Sequence, residues 1–141
     1  MTEYTSSVKK IDANANEVFA VLSDLENISR VKDLIPEDKV KDLSFTHDMV
    51  KFKVDGLGQR VGIKIIERKP DSTIKFSTEN IPADVNFWIQ LKQVADNDTR
   101  LKLTLRADLP MMFKMMLDSK LKTGIEQAAD YLARFPYKSW Q

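Results

Sequence analysis

The chain has no cysteine and a single histidine among its 141 residues. Without cysteine there can be no disulfide staple, no thiolate metal site and no cysteine nucleophile. His47 has no second imidazole to share a metal with, and neither a Glu-x-x-His nor a His-x-x-x-His spacing occurs. Glycine is scarce, at four residues. The pair in Gly56-Leu57-Gly58 fits a hairpin turn but opens no helix, so it is no phosphate loop. An excess of either charge is missing too. Lys and Arg number 22 against 21 Asp and Glu, a formal net charge of +1, so no bulk field steers the protein to nucleic acid or anionic lipid. The longest apolar run, Met111 to Leu117, is interrupted by Lys114 and is far too short to span a bilayer. The first residues, MTEYTSSVKK, lack the basic segment and apolar stretch of a secretion signal. These absences lead to the expectation of a cytoplasmic protein with no metal, no cofactor, no nucleic-acid partner and no stable membrane insertion.

What is present is ordinary for a globular chain: 43% apolar and 30% charged residues, in a length that suits one domain over 1–141 with a single core. The most organised stretch is Pro110 to Arg134. Proline suits a first helical turn, where its missing N–H would have no partner anyway. Phe113, Leu117, Leu121, Ile125, Ala128 and Leu132 then recur at spacings of three and four, which predicts one stripe of a helix. Met112 and Met116 widen that stripe, Met111 and Met115 flank it, and four of the six methionines fall here. At 1.5 Å per residue the helix would be roughly 36 Å long, enough to cross a small domain.

Ahead of it the period is two. Residues 3–11 read as a strand with Tyr4, Ser6 and Val8 on one face and Thr5, Ser7 and Lys9 on the other. Asn14 is a candidate N-cap, with Glu17 completing a capping-box spacing before a helix that carries Val18, Phe19, Leu22 and Leu25. Leu25, Ile28 and Val31 suggest a second short helix before Pro36. Six strands follow. They carry Val40/Leu43/Phe45 (unevenly spaced, hence a bulge), Val50/Phe52/Val54, Val61/Ile63/Ile65, Ile74/Phe76/Thr78, Val85/Phe87/Ile89/Leu91 and Leu101/Leu103/Leu105/Ala107. The turns between them are too short for crossover helices, so the pairing should be an antiparallel meander. Each strand has one apolar face, which needs a cover, and the long helix supplies it.

The order β–α–α–β₆–α resembles the START-like SRPBCC superfamily, whose most similar segment here is VKKIDANANEVFAVLSDLENISRV. The resemblance covers nearly the whole chain. It implies an α+β helix-grip fold in which a curved antiparallel sheet wraps a long C-terminal helix. It also implies a cavity between them, opening near the helix N-terminus. Relatives of that shape include polyketide cyclase/dehydrase-like proteins and lipid-transport domains.

The inward residues expected to line such a cavity are Phe52, Val54, Val61, Ile63, Ile65, Phe76, Thr78, Phe87, Ile89, Leu103 and Leu105, together with Val50 and Ile74. Met112, Phe113, Met116 and Leu117 would form the lid. The set is almost wholly apolar, with Thr78, Tyr4 and Ser6 as polar handles, and suits a lipid, isoprenoid or polyketide-like ligand held by burial. Periodicity alone cannot distinguish that cavity from a filled core. No catalytic constellation is visible. His47 lies in a turn beside Asp48, and Glu67 keeps inward parity but sits at a strand end beside Arg68 and Lys69, where a salt bridge is the simpler account. Three functions stay open: a carrier for a hydrophobic small molecule, a polyketide cyclase/dehydrase-like enzyme, or a protein-interaction domain using the Met-rich helix end. Lys51, Lys53, Arg60, Lys64, Lys75, Lys92, Arg100, Lys102 and Arg106 project from the outer face, a solvated surface that also deters edge pairing. Trp88 near Ile66 is a candidate homodimer contact; the sequence leaves the oligomeric state open.

Overall fold

The computed structural model describes residues 2–30, 40–54, 60–81 and 83–140. Strands β1 (Thr2–Thr5) and β2 (Lys9–Ile11) precede helix α1 (Ala15–Leu22) and a 3₁₀ turn at Leu25–Arg30. Then come β3 (Val40–Phe45), β4 (Met49–Val54), β5 (Arg60–Lys69), β6 (Thr73–Glu79), β7 (Asp84–Ala95) and β8 (Asp98–Asp108). Helix α2 (Met111–Arg134) follows, and a last 3₁₀ turn spans Tyr137–Trp140. The strands form one antiparallel sheet in the order β1-β8-β7-β6-β5-β4-β3, with β2 also on β8. The meander of six strands and the long helix on its inner face make this a helix-grip α+β fold. The expected turn at Asp55–Gly58, the apolar contact of Val31, and the breaks at Pro36 and Pro82 lie outside the described residues.

Three local features redirect side chains. The first strand is not continuous. Thr5 pairs with Thr104, but Lys9 pairs with Leu101, a slip of one residue across Ser6 to Val8. Ser6 holds the break: its N–H donates to the Leu103 carbonyl and its Oγ accepts the Leu103 N–H, both at 2.9 Å. Because the side-chain period is two, the slip reverses every residue after it. Val8, expected inward, is 59% exposed, whereas Ile11 is buried and Lys9 turns to the helix. The second feature is an irregularity between Ile65 and Glu67 in β5. It sends Glu67 outward against Lys75 and brings Arg68 in opposite Ile74, correcting the inward parity expected of Glu67. Arg68 then ties three parts together, donating to the carbonyls of Ser23 and His47 and pairing with Asp48 at 2.8 Å. The third is the expected bulge in β3, between Lys41 and Ser44, where Asp42 adopts a positive φ of 52°.

Helix α1 starts as its sequence suggests. Glu17 Oε1 accepts the Asn14 N–H at 2.9 Å, and Asn14 Oδ1 accepts from Gln93 Nε2 and the Asn97 N–H. The cap therefore also pins the β7–β8 turn. Helix α2 is held differently. Of its 24 residues only Ile125 and Ala129 are buried, with Leu117, Leu121, Leu132 and Ala133 half-buried. The covering seam is 117-121-125-129-133, so Ala129 replaces Ala128, which is exposed. The end of the chain is not a loose tail. Tyr137 is 1% exposed, donates to the Leu132 carbonyl at 2.7 Å and meets Phe135 in a tilted contact with ring centres 5.1 Å apart.

Candidate functional site: an apolar groove under the terminal helix

Cross-strand register sets the inner face out in rows. Ile65, Phe76, Phe87, Leu105 and Tyr4 are successive partners across five strands. Ile74, Ile89 and Leu103 form the next row toward the β2 end, and Ile63 with Thr78 the next toward the opposite end. Burial is complete at one end and mixed at the other, where Val50, Val61 and Ala107 are buried beside partly exposed neighbours. At one end Ile74, Leu101 and Leu103 are 0% exposed and Ile89 is 5%. Toward the other, Phe52, Ile63, Thr78, Val85, Phe87 and Leu105 on the sheet and Leu117 and Leu121 on the helix are only half-buried. Helix and sheet thus cover each other fully at the β2 end and only in part toward the Met111 end, where these apolar side chains outline a candidate groove.

The residues expected to line a cavity divide by burial. Val61, Ile65, Phe76, Ile89 and Leu103 are buried as core. Phe52, Ile63, Thr78, Phe87, Leu105 and Leu117 stay partly accessible, with Phe76 and Phe87 in tilted contact at 5.8 Å. The side chain of Val54 lies outside the described residues. The three expected lid residues nearest the tip are not buried: Met112 is 74% exposed, Phe113 49% and Met116 63%. The reason is angular. At about 100° per residue, the seam set by Leu117 and Leu121 lies roughly 100° or more from Met112 and Met116 and leaves Phe113 at its edge.

A charged group meets the inner face near the helix's N-terminal half. Tyr4, 3% exposed, donates its hydroxyl to Asp118 Oδ1 at 2.8 Å, and Lys122 holds Asp118 Oδ2 at 3.2 Å. Burial, and then the Asp118 carboxylate, push the Tyr4 phenol above its ordinary value. The Tyr4 hydrogen bond, and then Lys122, hold Asp118 below the usual carboxylate range. Of the other expected handles, Thr78 Oγ1 donates to the Val85 carbonyl at 3.4 Å and Ser6 is committed to Leu103. The closed end carries a second polar clamp. Glu126 accepts from the Ser7 amide and hydroxyl, and Lys9 Nζ bridges Glu126 at 3.0 Å and Asp130 at 2.8 Å. Sequence reading missed this clamp because the slip at Ser6 is what turns Lys9 inward.

His47 lies away from the groove, exposed in its turn, with Nδ1 3.0 Å from Asp24 Oδ1. Among the described residues no group of three or more His, Cys, Asp or Glu could hold a metal ion, and no helix is long and apolar enough to cross a membrane. On the outer face Trp88 is half-buried between Lys75 Nζ at 5.2 Å and Arg106 at 5.5 Å from its ring centre. The ring is occupied by its own neighbours.

Solved structures share this arrangement. Norcoclaurine synthase from Thalictrum flavum superposes with a TM-score of 0.70 at 12% identity, over 94% of this chain and 91% of that one. The same synthase has been solved in complex with dopamine and hydroxybenzaldehyde (TM-score 0.69, 13% identity, 94% and 86% covered). A conserved protein from Geobacillus kaustophilus aligns over 98% of this chain and 96% of its own, at 16% identity and a TM-score of 0.66. The fold is the START-like helix grip. Identities this low establish shared architecture and nothing finer. No protein-family model matches the sequence, and no curated protein does. Within this START-like frame, the described residues offer a partly covered apolar face with the Tyr4–Asp118 pair beside it.

Proposed function

We propose that the chain, acting over 1–141 as one unit, binds or carries a hydrophobic small molecule of lipid, isoprenoid or polyketide-like character between the sheet and α2. The observation that carries this reading is the incomplete cover of the sheet's inner face toward the Met111 end of α2. A sheet face meant only as core would close along its length, yet Phe52, Ile63, Phe87 and Leu105 on the sheet and Leu117 and Leu121 on the helix remain partly accessible. Each such side chain gains roughly 25 cal/mol for every Å² of apolar surface that a ligand removes from water. Asp118, fixed by Tyr4 and Lys122, supplies one polar contact to orient a largely apolar guest. Thalictrum flavum norcoclaurine synthase, solved with two small aromatic molecules, lends support to a small-molecule occupant in this architecture.

Native mass spectrometry of the purified protein, with extraction of what dissociates, tests the reading. A discrete added mass is expected, lost with Leu105→Glu, which places a charge at a partly accessible inner position, and with Ile63→Trp, which fills space at another such position without charge. A clean apo mass, together with no uptake of added fatty acid or isoprenoid alcohol, would sink it.

The Tyr4–Asp118 pair favours a second reading, an enzyme of the cyclase/dehydrase kind, because it puts two ionisable groups on the groove wall. Their direction of shift speaks for anchoring instead. A phenol pushed up keeps its proton, and a carboxylate pushed down stays ionised, so neither is poised to exchange protons near neutrality.

A further inference from the structure

Five large apolar side chains stand exposed within the first six residues of α2: Met111 at 78%, Met112 at 74%, Phe113 at 49%, Met115 at 79% and Met116 at 63%. At about 100° per residue they cover an arc of roughly 200° of the helix. The seam of Leu117 and Leu121 lies outside that arc, so the four methionines turn away from the sheet, while Phe113 borders the seam. Lys120 and Lys122 follow on the same side as the arc, about 6 and 9 Å further along the axis from Met116. Only Ser119 and Thr123 lie beside them there. From Met111 to Lys122 the helix carries three lysines against one acid, Asp118, and that acid is taken by Tyr4 and Lys122.

We infer that the methionine-rich tip of α2 is a reversible docking element for an anionic lipid bilayer surface. An apolar arc that wide suits a fluid medium better than a protein groove, which engages a stripe nearer 100°. Unbranched methionines adapt to irregular acyl packing. Burying the tip by about 5–10 Å would bring Lys120 and Lys122 to headgroup depth, where their stems stay apolar and their ammonium groups meet lipid phosphate. The tip adjoins the open end of the groove, so docking would set the mouth against the membrane. That last step rests on the carrier reading; the docking itself does not.

The test is flotation of the full chain with phosphatidylcholine vesicles, with and without phosphatidylserine. Wild-type protein is expected to float with the serine-containing vesicles and to be released by added salt. Met111→Asp with Met115→Asp, at the two most exposed tip positions, should weaken partitioning at least about tenfold. Lys120→Gln should lower the preference for the anionic vesicles alone. Failure of the wild type to float with either vesicle would overturn the inference, as would unchanged flotation of the double Asp variant with its circular dichroism intact. Sedimentation velocity showing a wild-type dimer that becomes a monomer in that variant would assign the tip to a second copy instead. Native mass spectra of the same samples separate the two readings. A bound small molecule without flotation sinks docking alone, and flotation of a protein that never holds a small molecule sinks the carrier reading alone.

Discussion

Ile125→Ala is the sharpest test of how α2 is held. Ile125 is 6% exposed and is one of two buried residues in the helix, the other being Ala129 at 0%. The substitution removes three side-chain carbons, worth about 2.4 kcal/mol at roughly 0.8 kcal/mol each, and leaves a cavity that raises the cost to about 3–4 kcal/mol. Against a typical total of about 5–15 kcal/mol this is a large fraction, and the melting temperature should fall by about 10 °C. Urea denaturation followed by circular dichroism on ligand-free protein measures it, with an unchanged slope expected if the denatured state is unaffected. Met111→Ala, at a 78% exposed position of the same helix, is the control and should cost under about 0.5 kcal/mol. An Ile125→Ala cost below about 1 kcal/mol, or a Met111→Ala cost of equal size, would refute the view that the helix is anchored at its C-terminal half and free at its tip.

Three further outcomes follow from the same contacts. The folded protein holds Glu126, through the Ser7 amide and then Lys9, and Asp118, through Tyr4 and then Lys122, below their ordinary values of 4.5 and 3.8. A lowered folded value stabilises above the unfolded value and is lost as pH falls through the folded one. The urea midpoint should therefore decline below about pH 4.5, and Glu126→Gln should flatten that decline; an identical acid limb in the variant would count against the clamp. Asn14→Ala removes the acceptor for Gln93 and Asn97 along with the helix cap and should cost about 1–2 kcal/mol by thermal unfolding. Tyr4→Phe should leave the fold intact yet weaken retention of the groove's ligand several-fold in a competition titration; unchanged retention would show that the Asp118 contact orients nothing.

The helix grip was legible because its signals are periodic. Alternating apolar positions from Val50 to Ala107 gave the meander, and the Asn14–Glu17 spacing gave the start of α1. The β3 bulge showed in the uneven spacing of Val40, Leu43 and Phe45, but two other register slips left no such mark. One extra residue around Ser6 to Val8 exchanges Val8 for Lys9 on the inner face, and another at Ile66 exchanges Glu67 for Arg68. Neither is marked by glycine or proline, because Ser6 bridges the first break with its own hydroxyl. The buried Tyr137 escapes a periodic reading for a different reason: its turn packs against α1, more than a hundred residues earlier in the chain, where Lys138 also pairs with Glu17. Among the groove residues, type and parity were legible but accessibility was not, since a half-covered and a covered strand face share one pattern.

The two ends of α2 therefore answer to different demands. The C-terminal half meets β1, β2 and β8 through Ile125, Ala129 and the Lys9–Glu126–Asp130 clamp, contacts whose loss would release the helix. The N-terminal half gives up core packing. Its largest side chains face water and its seam residues, Leu117 and Leu121, are only half-covered. Exposed apolar surface of this size is costly to keep in a folded chain unless something covers it part of the time. A guest beneath the helix and a surface beyond its tip would cover different parts of it, the first the seam and the second the methionine arc. Ligand binding should then protect Leu117 and Leu121 amides from hydrogen exchange while leaving Met111 to Met116 as open as before, and vesicles should do the reverse.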